Sequence, residues 1–161
     1  MADTIIRAAV LTVSDSRTPG DDISGNELVE LLSSAGAEIV VRRNATDDLR
    51  PLREMIFSLT EREDVNLIVT TGGTGLGPRD NTPEATRAVI EREATGIAEA
   101  MRRETAVKAP MAMLSRGICG IRGNTLIINL PGSPKAVKEC FEVIRPVLQH
   151  AVNLINGKTA H

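Results

Sequence analysis

Residues 67–83 read LIVTTGGTGLGPRDNTP, and this stretch decides the fold. It begins with a short apolar and β-branched run, 67–71, which predicts a strand buried on both faces. Four glycines then fall within the six residues 72–77. Thr82 and Pro83 follow, and they predict a helix with Thr82 as N-cap and Pro83 as its first residue. A buried strand, a glycine-rich loop and a helix in this order indicate one unit of a parallel sheet.

The same alternation continues on both sides of this unit. Further strands are predicted at 5–13, 38–42 and 125–130, with a short glycine-punctuated segment at 114–121. Helices are predicted to begin at Ser24, near Asp48, at Ile97 and at Ser133, and Ser24 with Glu27 forms a capping-box pattern. Gly123-Asn124 predicts a tight hairpin turn. We therefore predict an α/β fold, a three-layer α/β/α sandwich whose mainly parallel sheet gains one antiparallel edge strand, in one domain spanning residues 1–161.

Composition excludes several classes of function. The net charge is -2 and aromatic residues make up 1% of the chain, with no Trp and no Tyr, so nucleic acid is not an expected partner. No apolar run approaches the roughly 20 residues of a membrane span, and none resembles a signal peptide, which predicts a cytoplasmic protein without a membrane partner. Cys119 and Cys140 lie in apolar surroundings and are predicted to be buried and inert.

Four polar loops follow the predicted parallel strands, and such loops meet at one edge of the sheet, where ligands bind. In the loop after residue 71, glycines allow close approach of a ligand and successive N–H groups can form an anion-binding concavity. Arg79 and Asp80 add a cation and a carboxylate. The alternative is a flexible connector with Asp80 as a cap. Neither a Walker A sequence nor a dinucleotide fingerprint is present.

The other three loops have structural alternatives of equal or greater weight. Ser14-Asp15-Ser16-Arg17 could be a solvated turn, one aspartate of the Asp47-Asp48 pair a helix cap, and the 131–134 segment a plain strand-to-helix turn. Together the loops offer carboxylates, Arg17, Arg79 and Lys135, and neither His150 nor His161 lies in them. Carboxylates near phosphates suggest Mg²⁺, so the residues themselves indicate a site for a nucleotide or another phosphorylated ligand.

Three stretches carry a resemblance to a known family. These are TTGGTGLGPRDNTPEAT (70–86), LTVSDSRTPGDDISG (11–25) and LSRGICGIRGNTLIINLPGSPKAV (114–137). In this order they resemble the molybdopterin-binding family of molybdenum cofactor biosynthesis, which includes molybdopterin adenylyltransferase and molybdenum cofactor biosynthesis protein B. The likeness covers nearly the whole chain.

The resemblance implies Mg²⁺-dependent transfer of AMP from ATP to molybdopterin, with release of pyrophosphate; the alternative is a non-catalytic molybdopterin binder or carrier. It implies that Asp47, with Asp48 as the alternative, and Asp80 are the catalytic residues and act through Mg²⁺. It further implies a trimer or hexamer, with the molybdenum-inserting enzyme as a candidate partner. The implied binding residues are Ser14, Asp15, Thr71, Gly72, Gly73, Thr74, Gly75, Arg79, Ser115, Arg116, Pro131, Gly132 and Ser133.

Overall fold

The computed structural model describes residues 2–18 and 20–159, in which one six-stranded sheet is covered by helices. The strands are β1 (Arg7–Val13), β2 (Glu38–Ala45), β3 (Leu67–Thr71), β4 (Arg92–Glu93), β5 (Cys119–Arg122) and β6 (Thr125–Leu130). The helices are α1 (Ile23–Ser34), α2 (Leu49–Thr60), α3 (Thr82–Arg87), α4 (Thr95–Ala106) and α5 (Pro134–Ile155), with a 3₁₀ helix at Pro110–Leu114.

The sheet has the order β2-β1-β3-β6-β5-β4, and its first four strands are parallel. Alternate side chains of the central strands enter two separate cores, since successive residues of a strand point to opposite faces. Val10 packs in the core beneath α1, α4 and α5. Its neighbour Leu11 packs in the core beneath α2 and α3. This arrangement confirms the predicted three-layer α/β/α sandwich.

The antiparallel edge differs from the prediction by one strand. Gly123, at φ 53°, and Asn124 form the tight turn between β5 and β6, as predicted. The outermost strand, however, is β4, which pairs antiparallel with β5. A two-residue strand carries no periodic signal, and it forms here because Glu91 and Ala94 donate backbone hydrogen bonds to the β5 segment at 2.9 and 2.8 Å. Helix α4 then begins at Thr95, two residues before the predicted start at Ile97.

Two predicted helix caps were also wrong. Asp22 caps α1 in place of Ser24, and its carboxylate accepts a hydrogen bond from the Gly25 N–H at 2.9 Å. Asn81 occupies the N-cap position of α3, and Thr82 is already helical. Ser133 does cap α5, because its Oγ accepts the Ala136 N–H at 3.2 Å. In each corrected case the hydroxyl instead donates to a backbone carbonyl elsewhere in the chain.

The carboxyl ends of β1, β2, β3 and β6 lie along one edge of the sheet, because these strands are parallel. The four loops singled out in the sequence leave the sheet at this edge. Among the described residues, no helix combines the length and the apolar character needed to cross a membrane.

Candidate functional site

The glycine loop after β3 is folded tightly against its neighbours. Gly72 and Gly73 have φ angles of 99° and 67°, in the region that favours glycine. A Cβ on Gly72 would lie 2.2 Å from the Val13 carbonyl oxygen, and a Cβ on Gly73 would lie 2.3 Å from Thr82 Oγ1. Thr82 donates from Oγ1 to the Gly72 carbonyl at 2.9 Å and from its N–H to the Gly73 carbonyl at 3.1 Å. The loop is therefore closed onto the start of α3.

Three successive N–H groups of this loop are free to bind a ligand. The N–H groups of Gly73, Thr74 and Gly75 find no acceptor within residues 2–18 and 20–159. All three residues line a cavity of about 490 Å³. Successive backbone donors without acceptors, in residues that line a cavity, are suited to binding an anion such as a phosphate.

The cavity combines this polar edge with an apolar interior. Its volume lies in the range of small-molecule sites. Arg102 and Lys135 supply positive charge, and Asp80 and Glu139 supply negative charge. Apolar side chains from α4, from the 3₁₀ helix and the residue before it, and from α5 complete the lining; they are Ala98, Met101, Ala109, Met111, Ala112, Leu114, Ala136 and Cys140. Such a cavity suits a ligand with a phosphate at one end and a ring system at the other.

Asp80 lies against the glycine loop at the edge of the cavity. Its Oδ2 accepts the Gly77 N–H at 2.9 Å and would lie 2.8 Å from a Cβ placed on Gly75. Arg116 fixes the backbone here, because it donates to the carbonyls of Gly75 and Asp80, each at 2.7 Å, and pairs with Glu84. The Arg116 guanidinium holds the pKa of the Glu84 carboxyl below its usual range. Arg116 thus braces the loop and does not line the cavity.

Asp47 faces the glycine loop from the end of β2. Its Oδ1 would lie 3.0 Å from a Cβ on Gly73, and no side chain among the described residues donates a hydrogen bond to its carboxylate. Burial, followed by the negative charges of Asp15 and Asp80, raises the pKa of Asp47 above its usual value. Asp47 and Asp80 are therefore close enough to repel each other across the loop.

The chemistry of these two carboxylates suits a divalent cation. A carboxylate near a like charge is stabilised by a cation, and Mg²⁺ commonly combines one or two protein carboxylates with substrate phosphates. Within the described residues no group of three or more His, Cys, Asp or Glu side chains is arranged to hold a metal ion. The fit therefore depends on two carboxylates together with phosphate oxygens from a ligand.

Arg79, Asp15 and Asp48 form an ionic network beside Asp47. Arg79 donates from Nε to Asp15 Oδ2 at 2.6 Å, and from Nη2 to Asp15 Oδ1 and Asp48 Oδ1, both at 3.1 Å. The Arg79 hydrogen bond, with that from the Asp47 N–H, lowers the pKa of Asp15. Asp48 stands at the N-cap of α2 but makes no capping hydrogen bond. Arg79 therefore faces carboxylates in this structure.

The residues named from the sequence fall into two groups. Eight line the cavity: Gly73, Thr74, Gly75, Asp80, Ser115, Pro131, Gly132 and Ser133. The others lie outside its lining: Ser14, Asp15, Asp47, Thr71, Gly72, Arg79 and Arg116. Within the second group, Thr71 Oγ1 donates to the Pro131 carbonyl at 2.7 Å, and Ser14 Oγ accepts the Arg17 N–H at 3.2 Å. These two side chains join and shape the loops.

The sequence did not reveal that α4 forms one wall of the cavity. Arg102 donates from Nη1 to the Gly117 carbonyl at 2.7 Å and to the Ser115 carbonyl at 3.4 Å. On a helix, a charged residue next to the buried Met101 is indistinguishable from an ordinary solvent-facing position. Arg17 is a cation in the loop after β1. Its Nη1 donates to Ser24 Oγ at 3.0 Å and to the Gly132 carbonyl at 3.1 Å.

A family model described as a probable molybdopterin binding domain matches residues 9–150. The chain belongs to this family. The matched region contains the glycine loop, both aspartates and every cavity residue. Among solved structures, the molybdopterin biosynthesis enzyme MoaB from Thermus thermophilus superposes with a TM-score of 0.89 at 44% identity, covering 96% of this chain and 98% of that one.

Relatives of the molybdopterin-binding family differ in length. The molybdopterin adenylyltransferase of Helicobacter pylori strain J99 is 38% identical over 161 residues, which cover 94% of this chain and 89% of that protein. The molybdenum cofactor synthesis protein cinnamon of Drosophila melanogaster is 45% identical over 153 residues, 93% of this chain. The chain spans only 26% of the length of that protein.

Proposed function

We propose that this chain acts in molybdenum cofactor biosynthesis as a molybdopterin adenylyltransferase, and that residues 1–161 work as one molybdopterin-binding domain. The observation that carries the proposal is a row of three residues, Gly73, Thr74 and Gly75, whose N–H groups find no acceptor within the described residues. They line the cavity together with Asp80, and Asp47 lies next to Gly73. The name of the Helicobacter pylori relative supports the same reaction.

In the proposed reaction a terminal phosphate oxygen of molybdopterin attacks the α-phosphorus of ATP. A new P–O bond forms to that phosphorus, the bond to the oxygen that bridges the α- and β-phosphorus breaks, and pyrophosphate leaves with the bonding electrons. The attacking phosphate is already ionised near pH 7, because its second pKa is about 6. No histidine or other general base is therefore needed.

The protein contributes position and charge. The free N–H groups of the glycine loop hold a phosphate, and the apolar wall with Met101 and Met111 holds a ring. Asp47 and Asp80 would hold Mg²⁺, which supplies neutralisation of the phosphate charge when it is bound. Arg102 and Lys135 add positive charge at the remaining edges of the cavity.

The proposal is tested with purified protein, molybdopterin, Mg²⁺ and ATP labelled at the α-phosphate. We expect labelled adenylyl-molybdopterin and pyrophosphate in equal amounts. Asp80→Asn should lower turnover by about 100-fold or more while changing pterin binding less than about threefold, because it removes charge needed in the transition state. Asp64→Asn, at an exposed turn, is the matched control. Absence of the adenylylated product with the unmodified protein overturns the proposal.

The second candidate is a non-catalytic molybdopterin binder. It is favoured by one observation: Asp47 does not line the cavity, so a ligand can occupy the cavity without contacting it. Calorimetry with Mg-ATP separates the two functions. The enzyme binds the nucleotide, whereas a carrier binds the pterin alone.

We also propose that the chain self-associates as a trimer or hexamer. Its apolar side chains around the 3₁₀ helix support association, since Val107 is 84% exposed and Met111 is 76% exposed. Light scattering should give three or six times the mass of one chain, and a monomer contradicts this.

A further inference from the structure

An ion pair outside the cavity connects the loops that follow β1 and β3. We propose that Arg79 and Asp15 are positioning residues, whose pairing holds the backbone of Asp47 so that the Asp47 carboxylate faces the glycine loop. This inference rests on the proposed function for the role of Asp47. It reassigns Arg79 and Asp15 from ligand binding to the support of another residue.

Arg79 is held by two carboxylates. Its Nε and Nη2 are directed at the two oxygens of Asp15, at 2.6 and 3.1 Å, and Nη2 also contacts Asp48. A guanidinium gripping a carboxylate through two nitrogens is held in a defined geometry. Arg79 does not line the cavity. Its guanidinium nitrogens donate to the carboxylates of Asp15 and Asp48 instead.

The same ion pair contacts the backbone of Asp47. Asp15 Oδ1, which receives one bond from Arg79, also accepts the Asp47 N–H at 3.0 Å. The carbonyl of Asp47 accepts a hydrogen bond from Asn81 Nδ2 at 2.8 Å. Both polar backbone groups of Asp47 are thus fixed by side chains from other loops, while no side chain among the described residues donates to its own carboxylate.

The network also distinguishes the adjacent aspartates. Asp48 is engaged by Arg79 at 3.1 Å and by Thr46 Oγ1 at 3.3 Å. Asp47 has no such partner for its carboxylate among the described residues. Asp47 is therefore the carboxylate that the network presents.

The Arg79–Asp15 ion pair contributes more to the position of Asp47 than to the free energy of unfolding. The side chains of Arg79 and Asp15 are 57% and 40% exposed. Pairs exposed to this degree add little to the free energy of unfolding, because water screens them. Variants of the pair should consequently fold, which makes the inference testable.

The experiment compares Arg79→Met and Asp15→Ala with Asp64→Ala. The control removes a similarly exposed bidentate pair, Arg62–Asp64, with distances of 2.9 and 2.8 Å. The first measurement is amide hydrogen exchange at Asp47 by NMR on the ligand-free protein. Exchange should be about tenfold faster in Asp15→Ala and unchanged in the control, because the N–H loses its acceptor. Asp15→Asn keeps an acceptor oxygen and should restore part of the protection.

The second measurement separates kcat from KM. Displacing Asp47 should lower kcat by about tenfold or more and leave KM for ATP within about twofold in Arg79→Met. A raised KM with unchanged kcat would assign Arg79 to phosphate binding and overturn the inference. Unchanged exchange at Asp47 in Asp15→Ala overturns it as well. If the unmodified protein shows no turnover, the proposed function fails, while the exchange measurement still decides the inference.

Discussion

Gly73 has a backbone conformation that favours glycine, and it also lines the cavity. Its φ of 67° is unfavourable for any residue with a Cβ, and a Cβ there would also collide with Thr82 Oγ1. We expect Gly73→Ala to lower the free energy of unfolding by about 1–3 kcal/mol. Thermal or denaturant unfolding measures the stability, and calorimetry measures the accompanying loss of ligand affinity.

Gly36 provides the matched control for this substitution. It has a φ of 89°, yet no atom lies within 4 Å of the Cβ that alanine would add. Gly36→Ala therefore carries the conformational strain without the collision. The stability loss should be smaller and ligand binding should be unchanged. An equal effect of both substitutions would show that the packing of the glycine loop is unimportant.

Among single residues, the sequence predicted the backbone conformation of the glycines better than the partners of the charged side chains. The spacing of glycines after a buried strand is a local signal, and the loop has the geometry that this signal implies. Arg79 carries no local signal of its partner. It pairs with Asp15, which lies 64 positions away. The sequence around Arg79 is equally compatible with ligand binding and with an ion pair.

The start of α1 shows how one helix end organises its surroundings. Asp22 is fully buried, accepts from Thr12 Oγ1 at 2.6 Å and from the Gly25 N–H at 2.9 Å, and is paired with Arg42 at 3.4 Å. The capping side chain thereby ties α1 to β1 and β2. The start of α1 also carries Ser24, whose Oγ donates to the Gly132 carbonyl at 2.5 Å.

We expect Asp22→Ala to destabilise the protein by about 2–4 kcal/mol. Loss of the cap costs about 1 kcal/mol, and the buried Thr12 hydroxyl that loses its acceptor adds about 1–3 kcal/mol. Asp21→Ala removes an exposed carboxylate one position earlier and should cost no more than about 1 kcal/mol. Urea unfolding of both variants gives the comparison, and similar losses would rule out Asp22 as the organising cap.

The choice of Ser24 as the cap was wrong because residues 22 and 24 both carry side chains that cap helices. The decision between them depends on partners that are distant in the chain. Thr12 and Arg42 surround Asp22, whereas the hydroxyl of Ser24 is used by Gly132. Strand β4 was missed for a related reason, since it exists through its pairing with β5.

Burial in the folded protein controls the pKa, and hence the reactivity, of the two cysteine thiols. Burial raises the pKa of Cys119 to about 12 and that of Cys140 to about 11. A raised pKa keeps a thiol protonated, so at pH 8 only about one in a thousand molecules or fewer carries a reactive thiolate at either position.

Native protein at pH 8 should therefore resist a thiol reagent, and both cysteines should react when denaturant is added. Counting modified thiols by mass spectrometry checks this. Cys140 lines the cavity, so a bound ligand should slow any residual reaction at that position in particular. Rapid labelling of the native protein would contradict the burial of the thiols.

The sequence by itself determined the features that depend on neighbours along the chain. Apart from β4, the strands and the α-helices, the hairpin turn and the glycine loop follow from periodicity and from local backbone preferences, and the three-layer fold follows from their order. Tertiary structure decided which side chains meet. In the folded chain α4 lines the cavity, and Arg116 donates to the backbone of the glycine loop. Asp47 faces residues 72–77, and Arg79 pairs with Asp15. Those contacts join distant residues, and only the folded chain brings them within reach.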